Sequence, residues 1–204
     1  RYFSEDYNCY FSAYYADGLL KLLSKTGALD FTVLAGQFKF NTEQYFVEHN
    51  LDNDYRGEER NYDLVFTCSD LIIPNNIKSK KVILVQEGMT DPENMMYYLV
   101  KYLKLPRYLA STSTMGLSNA YDLFCVASTG YKELFIKKGV DESKIIVTGI
   151  PNFDNVKEYS INNIKHKDYV LVATSDSRET LKYENRKAFI KYSLDIAKGK
   201  QVIF

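Results

Sequence analysis

Two stretches decide the fold: Tyr62-Asp63-Leu64-Val65-Phe66-Thr67-Cys68-Ser69 and, further along, Tyr121-Asp122-Leu123-Phe124-Cys125-Val126-Ala127-Ser128. Each enters through a polar Asp, runs through an uninterrupted apolar centre and leaves through a small hydroxyl residue. Apolar runs without alternation suit strands covered on both faces, as in a parallel sheet flanked by helices. Val82 to Val85 and Lys144 to Thr148 repeat the signal. The expectation is one sheet in which Tyr62 to Thr67, Val82 to Val85, Leu123 to Ala127 and Ile145 to Thr148 lie side by side and parallel.

Helical patterns separate these runs. Asp91-Pro92-Glu93 offers a capping carboxylate, a first-turn proline and an acid near the positive end of a helix dipole. Met95, Leu99 and Leu103 then stack on one face at intervals of four, with Met96 and Val100 beside them. Ser128 or Thr129 opens a second helix, with Tyr131, Leu134, Phe135 and Lys138 along one side and Gly139 at its end. Upstream, Phe11, Tyr15, Leu19, Leu22 and Leu23 follow helical spacing up to Gly27, and Phe31 to Ala35 reads as a short buried strand. The polar stretch from Asn41 to Asn61 gives no clear pattern.

After Gly149-Ile150-Pro151 the chain turns polar and aperiodic up to Asp168, as a linker would. Tyr169 to Ala173 then reads as a strand, Thr174 to Thr180 as a hydroxyl-rich loop, Asn185 to Lys198 as a helix ending at Gly199, and Gln201 to Phe204 as a strand. The fold class is α/β: a Rossmann-like parallel-sheet domain over 1–152, a linker over 153–168, and the beginning of a second α/β domain over 169–204. Such sheets bind ligands in the loops at the carboxyl ends of their strands.

Composition narrows the function classes. The 204 residues are 46% apolar and 15% aromatic, enough for a buried core, and 26 basic side chains balance 26 acidic ones. No global field therefore favours nucleic acid or an anionic membrane, and an anionic ligand must be held locally. Cys9, Cys68 and Cys125 are odd in number and widely spaced, which fits reduced thiols better than disulfides. His49 and His166 have no ligand-spaced partner, so no metal site is expected. No apolar run reaches the roughly 18 residues of a spanning helix, and no signal-peptide pattern opens the chain; a cytoplasmic location is the expectation. Arg1 is not a translation start and Val202-Ile203-Phe204 stops within an apolar run, so a fragment at both ends is expected too.

Four strand-exit loops carry the chemistry. Thr67-Cys68-Ser69-Asp70 is short and polar, and reads most simply as a turn. In Val85-Gln86-Glu87-Gly88 a carboxylate and an amide leave a buried strand beside a glycine that lets another group approach. Glu87 is the leading catalytic candidate, since a carboxyl at a strand terminus can be partly desolvated and tuned for acid or base work; the alternative is a solvated glutamate in a turn. Ser111 to Asn119 gathers hydroxyls and a glycine, among them Ser113, Thr114 and Gly116, which could donate to a sugar or phosphate or simply sit in a surface loop. In Ala173 to Glu179, Thr174, Ser175 and Arg178 make a set suited to a diphosphate, or else a locally paired helix start. Neither a Gly-x-Gly-x-x-Gly fingerprint nor a phosphate-binding Gly-Lys-Ser/Thr loop is present, nor a nucleophile elbow.

The order of Lys81 to Gly88, Tyr121 to Ser128 and Lys144 to Asp154 resembles the end of the N-terminal domain of GT-B fold enzymes, in the manner of CDP-glycerol glycerophosphotransferases and non-hydrolysing UDP-N-acetylglucosamine 2-epimerases. The resemblance spans roughly Tyr62 to Phe204. Where the glycerophosphotransferases carry Trp-His-Gly with a basic histidine, this chain has Gln86-Glu87-Gly88. The epimerases carry His-Val-Glu-Ala-Gly; Glu87 could match its acid/base glutamate, while the histidine and alanine are unmatched. Gly149-Ile150-Pro151-Asn152-Phe153-Asp154 resembles the crossover between the family's two domains, and Ala173 to Glu179 the first loop of its donor-binding domain.

The resemblance implies an enzyme of cell-surface polysaccharide synthesis that moves a sugar or polyol phosphate from a nucleotide-activated donor to a glycan or lipid-linked acceptor. Glu87 would be the general base, Gln86, Gly88, Ser113, Thr114 and Gly116 would contact substrate, and Thr174, Ser175 and Arg178 would hold the donor diphosphate across a crevice. No cofactor is implied beyond the nucleotide-sugar or CDP-polyol substrate, no nucleic acid is a partner, and peripheral membrane association is compatible. The alternatives are an epimerase and a non-catalytic two-lobed binding protein.

Overall fold

A computed structural model describes residues 6–159, 165–173 and 185–204. The chain divides into two compact units, Arg1–Pro151 and Asn152–Phe204. In the first, strands β1 (Leu64–Thr67), β2 (Lys81–Val85), β3 (Leu123–Val126) and β4 (Ile145–Val147) form one sheet in the order β1-β2-β3-β4, every neighbour parallel. The register pairs Val65 with Val82, Leu84 with Phe124, and Phe124 with Ile145.

That register sorts the side chains. Val82, Leu84, Phe124, Val126 and Ile145 point to one face and are buried with Met115, Tyr121, Val140 and Phe135, the last on α4 (Thr129–Lys138), the fourth α-helix in chain order. The Phe124 and Phe135 rings sit 4.6 Å apart. On the opposite face none of Leu64, Phe66, Ile83, Val85, Leu123, Cys125 or Ile146 is buried, and Phe66 is 53% exposed. The expectation of cover on both faces therefore holds for one. Strand order follows chain order, and right-handed crossovers that all step in one direction lay their helices on one side.

Helix α3 (Met95–Leu103) begins later than Asp91-Pro92-Glu93 suggested, because the Asn94 side chain caps it by accepting from the Tyr97 amide at 3.0 Å. The Asp91 amide is instead tied to Thr112 Oγ1. Its buried residues are Tyr97 and Val100, and the apolar stripe of Met95, Leu99 and Leu103 points outward: Met95 is 78% exposed, and Leu99 and Leu103 are exposed with it. A helix apolar all round cannot signal which side faces inward; here Lys101, donating to the Lys138 carbonyl at 2.9 Å, ties the Tyr97 side to α4. Ser128 caps α4, accepting from the Tyr131 amide, and Gly139 ends it in the left-handed conformation.

The N-terminal segment departs further from its pattern. Helix α1 covers only Gly18–Lys25, since Phe11 bridges to Asn53 and the Asp17 carboxylate accepts from the Asn75 amide and pairs with Arg56, holding the preceding chain extended. Phe31 to Ala35 is a succession of turns instead of a strand. Thr32 spends its hydroxyl on the Leu29 carbonyl and accepts the Leu34 amide, a local alternative to strand pairing. Gly36, at φ +58°, then opens α2 (Gly36–Glu48), which occupies part of the polar stretch that gave no pattern.

In the second unit β5 (Tyr169–Leu171), α5 (Arg186–Ala197) and β6 (Gln201–Ile203) make a strand-helix-strand with β5 and β6 parallel; Asn185 caps α5 by accepting from the Ala188 amide. Among the described residues no helix is long and apolar enough to cross a membrane.

Candidate functional site

The carboxyl ends of β1, β2, β3 and β4 share one edge, as parallel pairing requires. At the exit of β2 the Gln86 amide donates to the Cys125 carbonyl at 2.9 Å, which continues the sheet by one residue. The Gln86 side chain then fixes the loop twice: Oε1 accepts the Ala127 amide at 3.0 Å and Nε2 donates to the Gly88 carbonyl at 2.8 Å. Its amide is thereby committed to protein. Glu87, between these anchors, is exposed and makes no hydrogen bond or salt bridge among the described residues.

Glu87 lies near the exit of β1. Desolvation pushes the Cys68 thiol pKa up, and the Glu87 carboxylate adds to the rise. This thiol is accordingly protonated near neutral pH and is a poor nucleophile. Next to it, Thr67 Oγ1 donates to the Ser69 carbonyl at 2.8 Å. Nothing stands within 4 Å of the place a Gly88 side chain would take, so the glycine leaves this rim open.

The Ser111 to Asn119 segment is built differently from a mobile hydroxyl loop. Ser113 and Thr114 are fully buried; Ser113 donates to the Ala110 carbonyl, and Thr114 to the carbonyls of Arg107 and Ser111 at 3.0 and 3.1 Å. Both hydroxyls thus serve the segment's own backbone. Gly116, at φ +83°, lies so close to the core that a Cβ would stand 2.9 Å from the Phe124 ring. The structure therefore brings Gln86, Glu87 and Gly88 to the sheet's edge and turns Ser113, Thr114 and Gly116 inward. Thr174, Ser175 and Arg178 lie outside the described residues.

Sequence reading missed the residues that organise this segment. Asp70, taken as the end of a turn, is fully buried; its two oxygens accept the amides of Gly116 and Ser118, each at 3.0 Å, while Arg107 Nη2 donates to its carbonyl at 2.6 Å. Lys138, read as one residue of a helix face, is buried, and its Nζ donates to the Ser113 carbonyl at 2.8 Å. Burial pulls its pKa down. The available signal was a charged residue beside an apolar run, Asp70 before Leu71-Ile72-Ile73 and Lys138 after Leu134-Phe135-Ile136.

No family model, curated protein or solved structure matches the chain.

Proposed function

We propose that the carboxyl edge of the four-stranded sheet is the working edge of a glycosyltransferase-like enzyme, which moves a sugar or polyol phosphate from a nucleotide-activated donor to an acceptor hydroxyl. The observation that carries this reading is Glu87: an exposed carboxylate without an ion-pair partner among the described residues, on backbone that Gln86 anchors to β3 and to Gly88. A parallel α/β sheet places its ligands at this edge, and a positioned free carboxylate is the group that general-base catalysis requires. Glu87 takes the proton of the acceptor hydroxyl as that oxygen attacks the transferred group, and the bond to the nucleotide breaks with its electron pair leaving on phosphate. The reading assigns the donor diphosphate to Arg178 with Thr174 and Ser175 on chemical grounds.

The test uses the full chain, a panel of nucleotide-sugars and CDP-polyols, and a hydroxyl acceptor. Transfer with one donor is expected, and Glu87→Gln should lower turnover by roughly 100-fold or more while nucleotide binding stays nearly intact. Wild-type turnover in that variant overturns the role of Glu87. Epimerisation of a nucleotide-sugar without transfer would point to the epimerase chemistry instead, and binding without turnover to a non-catalytic receptor.

A further inference from the structure

Away from the sheet edge, α1, the turns after it and the start of α2 enclose a cleft of about 490 Å³ with Tyr15 and Tyr55 among its walls. That volume lies in the range of small-molecule sites, roughly 300–1,000 Å³. Its lining brings Lys21, Lys25, Lys39 and Arg56 together against a single carboxylate, Asp30.

The four cations are not equivalent. Arg56 is spent, with Nη2 on Asp17 and Nε on Glu58 at 2.7 Å each, and forms a fixed wall. Lys39 stands over the Tyr55 ring at 3.9 Å and reaches Glu43 only at 3.6 Å. The ammonium groups of Lys21 and Lys25 make no hydrogen bond or salt bridge among the described residues; Lys21 lies near enough to lower the pKa of the Asp17 carboxylate, which is already bonded to Arg56 and the Asn75 amide. They lie one turn apart on α1, where like charges repel. At the same cleft Ala35 is the N-cap residue of α2 and brings no side-chain acceptor to the first-turn amides. Ammonium groups of Lys21 and Lys25 without an ion pair among the described residues, and a helix start without a side-chain cap, together suit a multivalent anion.

We propose that this cleft binds a phosphorylated small molecule, with Lys21, Lys25 and Lys39 neutralising its phosphate and the aromatic wall of Tyr15 and Tyr55 taking its less polar part. A phosphate or diphosphate meets several ammonium groups at once, which a single carboxylate does less well. The site stands apart from Glu87 and does not depend on the transferase reading.

The probe is inorganic pyrophosphate, titrated calorimetrically into the full chain. Saturable binding that weakens with added salt is expected, and Lys21→Gln combined with Lys25→Gln should weaken it at least roughly tenfold, while Lys132→Gln on α4 leaves it unchanged. Absence of binding, or equal affinity in the double variant, overturns the proposal. Lys25 is exposed, so Lys25→Gln alone repeats the test in a chain whose packing is untouched, with circular dichroism confirming the helices.

Discussion

The carboxylate of Asp70 accepts the amide of Gly116 across 46 positions of sequence, at 3.0 Å and within the buried interior. With its second oxygen on the Ser118 amide, Asp70 pins the return segment before β3 to the exit of β1. Asp70→Asn keeps the shape but turns a donor amide toward one of two N–H groups, the buried one of Gly116 or the half-buried one of Ser118. Hydrogen bonds to a charged group and an orphaned buried donor together set the expected cost at about 2–4 kcal/mol. Urea denaturation measures it, and an unchanged midpoint would mean that the segment is held by other contacts.

Gly116 itself is fixed by space and by backbone. Its φ of +83° is strained for any residue with a Cβ, and that Cβ would meet Phe124 at 2.9 Å and Val140 at 3.1 Å. Gly116→Ala is expected to destabilise by about 1–3 kcal/mol, through overpacking and backbone strain. Gly88→Ala, with open space around it, is the control that should change stability little. Equal stability of the two variants would refute the steric account.

Tyr121 donates to the Gly116 carbonyl, and its pKa is raised by burial first and by the Asp70 charge second. Tyr14, bonded to Ile72, is raised by burial as well. A raised folded pKa means that the stability these phenols contribute is complete below the unfolded value near pH 10 and is lost as pH climbs through the folded one. Tyr121→Phe should lose about 0.5–1.5 kcal/mol at neutral pH with its hydrogen bond, yet decline less steeply in alkali. Parallel decline of wild type and variant above about pH 10 would show that this phenol does not contribute.

The four parallel strands were legible because each is a compact apolar run, and helix patterns follow two of them, information that lies within a dozen residues. Phe31 to Ala35 looked alike by the same measure, but Thr32 closes local turn bonds, and periodicity does not register a hydroxyl's choice of partner. The outward face of α3 was not legible because both of its sides are apolar. At the site, the place of Gln86-Glu87-Gly88 on the sheet edge followed from strand order alone. The inward turn of Ser113 and Thr114 did not, since it depends on Asp70 and Lys138, whose partners lie 46 and 25 positions away.

Lys138 offers the sharpest test of that buried network, because its electrostatics have a sign opposite to the tyrosines'. Its ammonium donates to the Ser113 carbonyl at 2.8 Å and faces the Tyr97 ring at 5.6 Å, with no carboxylate in salt-bridge range among the described residues. Burial lowers its pKa from 10.5 and the Lys101 charge lowers it further, while Glu93 and Asp91 oppose the shift from a distance. The unfolded chain therefore holds this proton more tightly than the folded one. The resulting penalty is complete below the folded pKa and is relieved as pH rises from there to the unfolded value. Lys138→Met removes the titration but keeps most of the side chain's volume. The stability of wild type minus that of Lys138→Met should thus increase with pH across the window below 10.5. The tyrosines are common to both proteins, so their alkaline losses cancel in the difference. Urea midpoints taken in parallel at rising pH give this difference directly; a flat or falling curve would show that the ammonium is solvated in the folded protein, and that Ser113 is held without it.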